Sequence, residues 1–80
     1  MVIKEKEALK AVLRLLHRGR SMAFEGMLGQ ELAWYFDELD YLMGLIISWQ
    51  DDMSLQFVNA LQKVCEKYGC NEIAAEYYRS

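Results

Sequence analysis

Eighty residues, 54% of them hydrophobic and 26% charged, make one domain with enough apolar side chain to close a core, which excludes a disordered tail. Proline is absent and the five glycines stand singly, so the turn punctuation that a sandwich or barrel of short strands needs is missing. The net charge of −3 conceals a segregation: residues 1–20 sum to +4, residues 21–53 to −7 and residues 54–80 to zero.

Helices are therefore expected throughout. Residues 4–17 form the first, with Ala8, Val12, Leu15 and Leu16 at helical spacing and Leu13 widening the stripe. Glu5 and Glu7 fall in its first turn and Arg14, His17 and Arg18 near its last, as the helix dipole favours. Gly19 is placed to end this helix in a left-handed conformation, and Ser21 to cap the next one. Gly26 and Gly29 weaken helix over residues 21–29, which leaves that stretch either a separate short helix or an irregular turn.

The second helix is the long central one, expected from Gln30 to Gln50. Leu28, Leu32, Tyr35, Leu39, Leu42, Ile46 and Trp49 alternate in steps of four and three, the spacing of a helix that hides one seam. Asp51, Asp52 or Ser54 can cap a third helix from about Met53 to Tyr68, which carries Val58, Leu61, Cys65 and Tyr68 on one stripe and stops at Gly69. Asn71 can cap a short fourth helix over 72–79, with Ile73, Ala74 and Tyr77 inward. The predicted class is all-α: one domain spanning residues 1–80, a small bundle of three main helices with a short fourth C-terminal helix. Its core holds Leu32, Leu39, Leu42 and Ile46 with Val12, Leu16, Val58 and Leu61.

No Lys or Arg occurs between Ser21 and Met53, whereas seven carboxylates do. The basic first helix is expected to lie beside this acidic one, each screening the other. Trp34 and Tyr41 stand one heptad apart and off the seam, with Asp37, Glu38 and Asp40 around them. Rings and carboxylates on one flank suit a basic protein surface, because the rings bury area at low entropic cost and carboxylates take guanidinium groups bidentately. Trp34, Asp37, Glu38, Asp40 and Tyr41 are thus the candidate partner-binding residues. The competing arrangement sandwiches the central helix and buries both faces. Pairing of two copies through the seam is a further expectation, although Tyr35 and Trp49 are wide for a two-stranded coiled coil and favour burial within one chain.

Residues 64–79 resemble a helix-turn-helix unit, with Gly69 as the turn glycine, Cys65 four before it, and Cys70, Ala75 and Tyr78 inward. That resemblance implies a DNA-binding regulator as the alternative function. Its recognition helix would offer Glu72 and Glu76 against Arg79 alone, a poor set for phosphates and base edges, so nucleic acid is disfavoured as a partner. In size, acidity and surplus aromatics the chain also resembles small phage and mobile-element proteins that occupy a surface on a larger host complex, anti-CRISPR inhibitors among them. No motif carries that likeness and no residue role transfers with it.

His17 is the sole histidine, and Cys65 and Cys70 are spaced unlike a zinc knuckle, so neither a metal nor another cofactor is expected. Adjacent acids such as Asp37 and Glu38 splay apart on a helix, a Cys65–His17 pair has no supporting pattern, and no glycine-rich phosphate loop exists; a non-enzyme is the expectation. The opening MVIKEKEALK lacks the apolar stretch of a signal peptide and no run approaches the roughly 18 apolar residues of a membrane span. A cytoplasmic protein without membrane contact, its two cysteines remaining thiols, is the corresponding expectation.

Overall fold

The structure, a computed structural model, describes residues 3–27 and 29–78, with the side chains of Phe24, Asp51 and Tyr78 outside that description. It is all-α among the described residues: α1 is Glu5–Phe24, α2 Gly29–Ile47, α3 Ser54–Tyr68 and α4 Asn71–Tyr78, with a 3₁₀ turn at Asp51–Met53 before α3. The α1 and α2 helices form one packed layer; α3 packs on α2 and on α4, and α4 returns to α1. No helix among the described residues is long and apolar enough to cross a membrane.

Helix α1 runs five residues beyond its expected glycine stop and absorbs Ser21, which therefore caps nothing. Gly19 lies buried inside it. A Cβ at that position would come 2.9 Å from both Phe36 Cζ and Tyr35 Cε2, so the missing side chain lets two rings of α2 lie against the α1 backbone. The true stop is Gly26, at φ +87°. Its amide donates to the Ala23 carbonyl at 3.3 Å and the Met27 amide to the Met22 carbonyl at 3.1 Å, the paired bonds of a left-handed helix end. Local basic residues and a glycine imitated a terminus at 17–19; tertiary packing overrode them.

Helix α2 hides the expected seam. Tyr35, Leu39, Leu42 and Ile46 are buried together with Leu45, whereas Leu32 is only half-buried and Leu28 lies outside the described residues. The helix ends at Ile47, short of Gln50, so Trp49 packs from the connection, edge-on to Phe57 with centroids 5.7 Å apart. The core is completed by Val12 and Leu15 of α1, by Phe57, Val58, Leu61 and Cys65 of α3, and by Ile73 of α4. Leu16, expected in that core, is 37% exposed, because α1 turns Leu15 and Gly19 inward instead.

Neither the 3₁₀ turn nor α3 has a side-chain N-cap hydrogen bond. Ser54 is instead buried, and its hydroxyl accepts the Ile3 amide at 2.6 Å, tying the chain ahead of α1 to the start of α3. Gly69, at φ +71°, ends α3 as expected, and the Cys70 amide returns to the Cys65 carbonyl at 2.8 Å. Among the described residues the α1 cations make no ion pair with α2, although the two helices lie side by side. The ion pairs seen among the described residues are Arg14 to Glu76 of α4, and Lys67 of α3 to Glu38 of α2.

Candidate protein-binding face

About half of the α2 positions are buried or half-buried, and what the remaining positions carry decides the outer surface. Trp34 and Tyr41 are 51% and 54% exposed, so the second layer of helices covers only one side of α2. Asp37 and Asp40 are exposed and Glu38 half-buried. At 3.6 residues per turn, Asp40 stands about 100° around from Tyr41, on the side nearer α1, while Glu38 leans toward α3.

Lys67 reaches Glu38 from α3, its ammonium 3.3 Å from Oε1 and 5.4 Å from the centre of the Tyr68 ring. The hydrogen bond to Glu38, followed by the carboxylate's charge, raises the Lys67 pKa. Burial and then the same carboxylate raise that of the Tyr68 phenol. Among the described residues, Glu38 Oε2 and the Tyr68 hydroxyl are buried and neither meets the geometry of a hydrogen bond, although the two groups lie close enough for the carboxylate to favour the protonated phenol. Trp34 stands as a ridge between two shallow clefts. One is lined by Trp34, Asp37, Glu38 and Lys67, the other by Met27, Glu31, Trp34, Lys67 and Tyr68.

Of the five residues singled out by sequence, Trp34, Asp37 and Glu38 thus meet at one cleft. Tyr41 lies one heptad further on, and Asp40 faces a neighbouring sector. Lys67, Tyr68 and Glu31, which complete the clefts, carried no sequence signal of this role: Lys67 stands 29 residues from Glu38 and is brought there only by α3 packing. An indole between carboxylates can take a cation on its ring face while the carboxylates accept its N–H groups, each contact favouring Arg over a neutral side chain.

Elsewhere the chemistry is quiet. The Cys65 thiol is fully buried, and burial pushes its pKa up to about 11; Cys70 is buried with its pKa raised for the same reason, and His17 lies exposed on α1. Both cysteines are free. Among the described residues no three of His, Cys, Asp and Glu are grouped to hold a metal ion. In the α3–α4 hairpin Cys65 and Cys70 are inward, but Ala75 is exposed and Ala74 takes the buried position; Arg79 lies outside the described residues. The chain matches no protein-family profile, no curated protein and no solved structure.

Proposed function

We propose that this chain is a binding module, an inhibitor or adaptor that acts by occupying a basic surface on a larger bacterial or phage-associated complex. The observation that carries the reading is the half-exposed Trp34 ridge with a carboxylate-lined cleft on each side. An exposed large ring beside carboxylates offers a partner rigid apolar area at low entropic cost, and a ring anchored in a pocket of that partner is the usual centre of an interface. Asp37 and Glu38 would receive arginine or lysine, and Tyr41 would extend the contact along α2. The acidic stretch from Glu25 to Asp52 would speed encounter with a positive surface.

The test uses the folded chain as bait in lysate of its native host, beside a variant carrying Trp34→Ala and Tyr41→Ala. Both rings are exposed, so the variant should retain the helical circular dichroism of the parent. A specific protein captured by the parent should be lost from the variant, and titration of that purified protein should show at least a tenfold weaker Kd. Equal affinity for both baits would refute the assignment. Titration against duplex DNA at low and moderate salt examines the regulator alternative, which requires affinity that falls steeply with salt.

A further inference from the structure

The outer flank of α1 carries Leu13, exposed by 53%, with Leu9 and Leu16 at its border with the buried stripe, exposed by 38% and 37%, beside Lys6, Lys10 and Arg20. Glu5 and Glu7 fall at its edges. Phe36 of α2 meets Leu13, Leu16, His17 and Arg20 across a shallow groove, so the surface continues without a break onto α2. There the outward positions are Ala33, Asp37, Asp40, Gly44 and Ile47, the last 81% exposed. One half of this outer layer is therefore cationic with leucines, and the other half anionic with Ile47 and two small residues.

A surface with opposite charge on its two halves complements itself under a two-fold rotation. With the axis parallel to the helices and above the Phe36 groove, α1 of one copy lies on α2 of the other, and the contact is made twice. Gly19 touches Tyr35 and Phe36, and the turn at Gly26 makes the helices antiparallel, so each step back along α1 matches a step forward along α2. That register sets His17 level with Asp37, Arg20 with Trp34 and Tyr35, Leu13 with Tyr41 and Leu42, and Lys10 with Gly44, from where its long side chain reaches back toward Asp40 about one turn away. Helices of 20 and 19 residues give a layer about 30 Å long and about 20 Å wide, a footprint of about 600 Å² per copy and about 1,200 Å² in total. Such an area reaches the lower bound of a specific interface and suits a concentration-dependent pair.

We infer that the outer face of the α1–α2 layer is a homodimer surface, with the α1 cations and leucines of each copy seated on Asp37, Asp40 and Ile47 of the other. The α2 seam, buried within the monomer, takes no part. Trp34 and Tyr41 lie on the far flank of α2 and stay uncovered, but Asp37 borders both surfaces, so the two contacts compete for it. The α1 changes Leu13→Asp and Lys10→Glu, which leave the Trp34 clefts intact, test the pairing apart from the partner-binding reading.

Sedimentation velocity of the whole chain over a dilution series should show reversible monomer–dimer exchange. Leu13→Asp, Lys10→Glu and Asp40→Arg change exposed side chains, and each should weaken dimerisation at least tenfold with helicity unchanged. An equimolar mixture of the Lys10→Glu and Asp40→Arg chains should recover a dimer that neither forms alone, because the heterodimer restores attraction at both contacts. A monomer at every concentration would overturn the inference, as would a dimer indifferent to all three changes. Binding of the monomer through Leu13 to anionic vesicles, without self-association, would likewise overturn it by assigning the flank to a lipid surface.

Discussion

The Tyr35 hydroxyl donates to the Leu15 carbonyl across the α1–α2 interface at 2.5 Å. Its ring is fully buried, edge-on to Phe36 at 5.6 Å and to Tyr68 at 4.9 Å, so one side chain ties α1, α2 and α3 together directly below the Trp34 flank. Helical carbonyls have a second lone pair, which is what a buried phenol can use without breaking the helix. Tyr35→Phe should therefore cost about 1 kcal/mol, since Leu15 keeps its helical partner and no buried group is orphaned. Tyr35→Ala should cost about 3–5 kcal/mol through the cavity it opens, enough to unfold a chain this small. Urea midpoints with unchanged m-values would report both.

Two glycines should respond to the same substitution with opposite sign. At Gly19 an added methyl meets Tyr35, held by its hydrogen bond, and the packed ring of Phe36, so Gly19→Ala should lose about 1–3 kcal/mol despite better helix propensity. At Gly44, inside α2 and facing open space, Gly44→Ala should gain about 0.5–1 kcal/mol. Thermal unfolding of the pair separates a packing glycine from one whose missing side chain does nothing for the fold.

The contrast between these glycines also shows where sequence reasoning succeeds. Spacing along α2 puts Tyr35, Leu39, Leu42 and Ile46 on the hidden seam and Trp34 and Tyr41 off it, because helical period alone fixes those directions; that the off-seam rings stay exposed and are not sandwiched is decided by how the other helices pack. It misplaced the end of α1 because Gly19 and its basic neighbours satisfy every local stop signal, whereas the reason to continue is a pair of rings from another helix. Leu16 was misassigned to the core for a related reason: with Ala11, Leu15 and Gly19 inward, its position is left at the edge. The Lys67–Glu38 pair and the Ser54–Ile3 bond join residues far apart in the chain, and no local pattern encodes them.

The Ser54–Ile3 bond has a measurable consequence. Ser54→Ala leaves the buried Ile3 amide without its acceptor, at a cost of about 1–3 kcal/mol. Because Ile3 itself is buried, the first effect should be local: the Ile3 and Lys4 amides should exchange with solvent faster than those of Leu39 and Leu42, in proportion larger than the global loss of stability. Hydrogen exchange read by NMR distinguishes this loosening from uniform destabilisation, which would raise all four rates alike.

Alkaline pH should unfold the protein through its buried acids. Burial raises the Cys65 thiol from 9.0 to about 11, and the Tyr35 phenol is raised by burial and by the neighbouring thiols. Each group stays protonated in the fold at pH values where the unfolded chain has lost the proton, so the folded state binds more protons and stability falls as pH rises. The Cys65 contribution is fully present below pH 9 and is gone once pH passes about 11, with Tyr35 adding to the decline above pH 10. Urea midpoints measured from pH 7 to 11 should drop along this course, and Cys65→Ala should flatten the decline between pH 9 and 11. A flat profile for the parent would contradict the burial of both groups.

Lys67 offers the most direct view of the proposed face, because it is a cation inside a site meant for cations. It borders both clefts beside Trp34 and holds Glu38 Oε1, so an arriving arginine must displace it or work around it. Its ammonium is exposed while Glu38 is half-buried, so Lys67→Ala should lower the unfolding midpoint only modestly. The same change frees one carboxylate and removes a like charge facing the partner, and should tighten binding of a basic partner several-fold, mainly through faster association at low salt. Lys67→Glu should tighten it further, and both gains should fade at high salt as screening removes them. Weaker binding by Lys67→Ala would mean that the ammonium itself contacts the partner, and the surface that fits this face would then be acidic or neutral in place of basic.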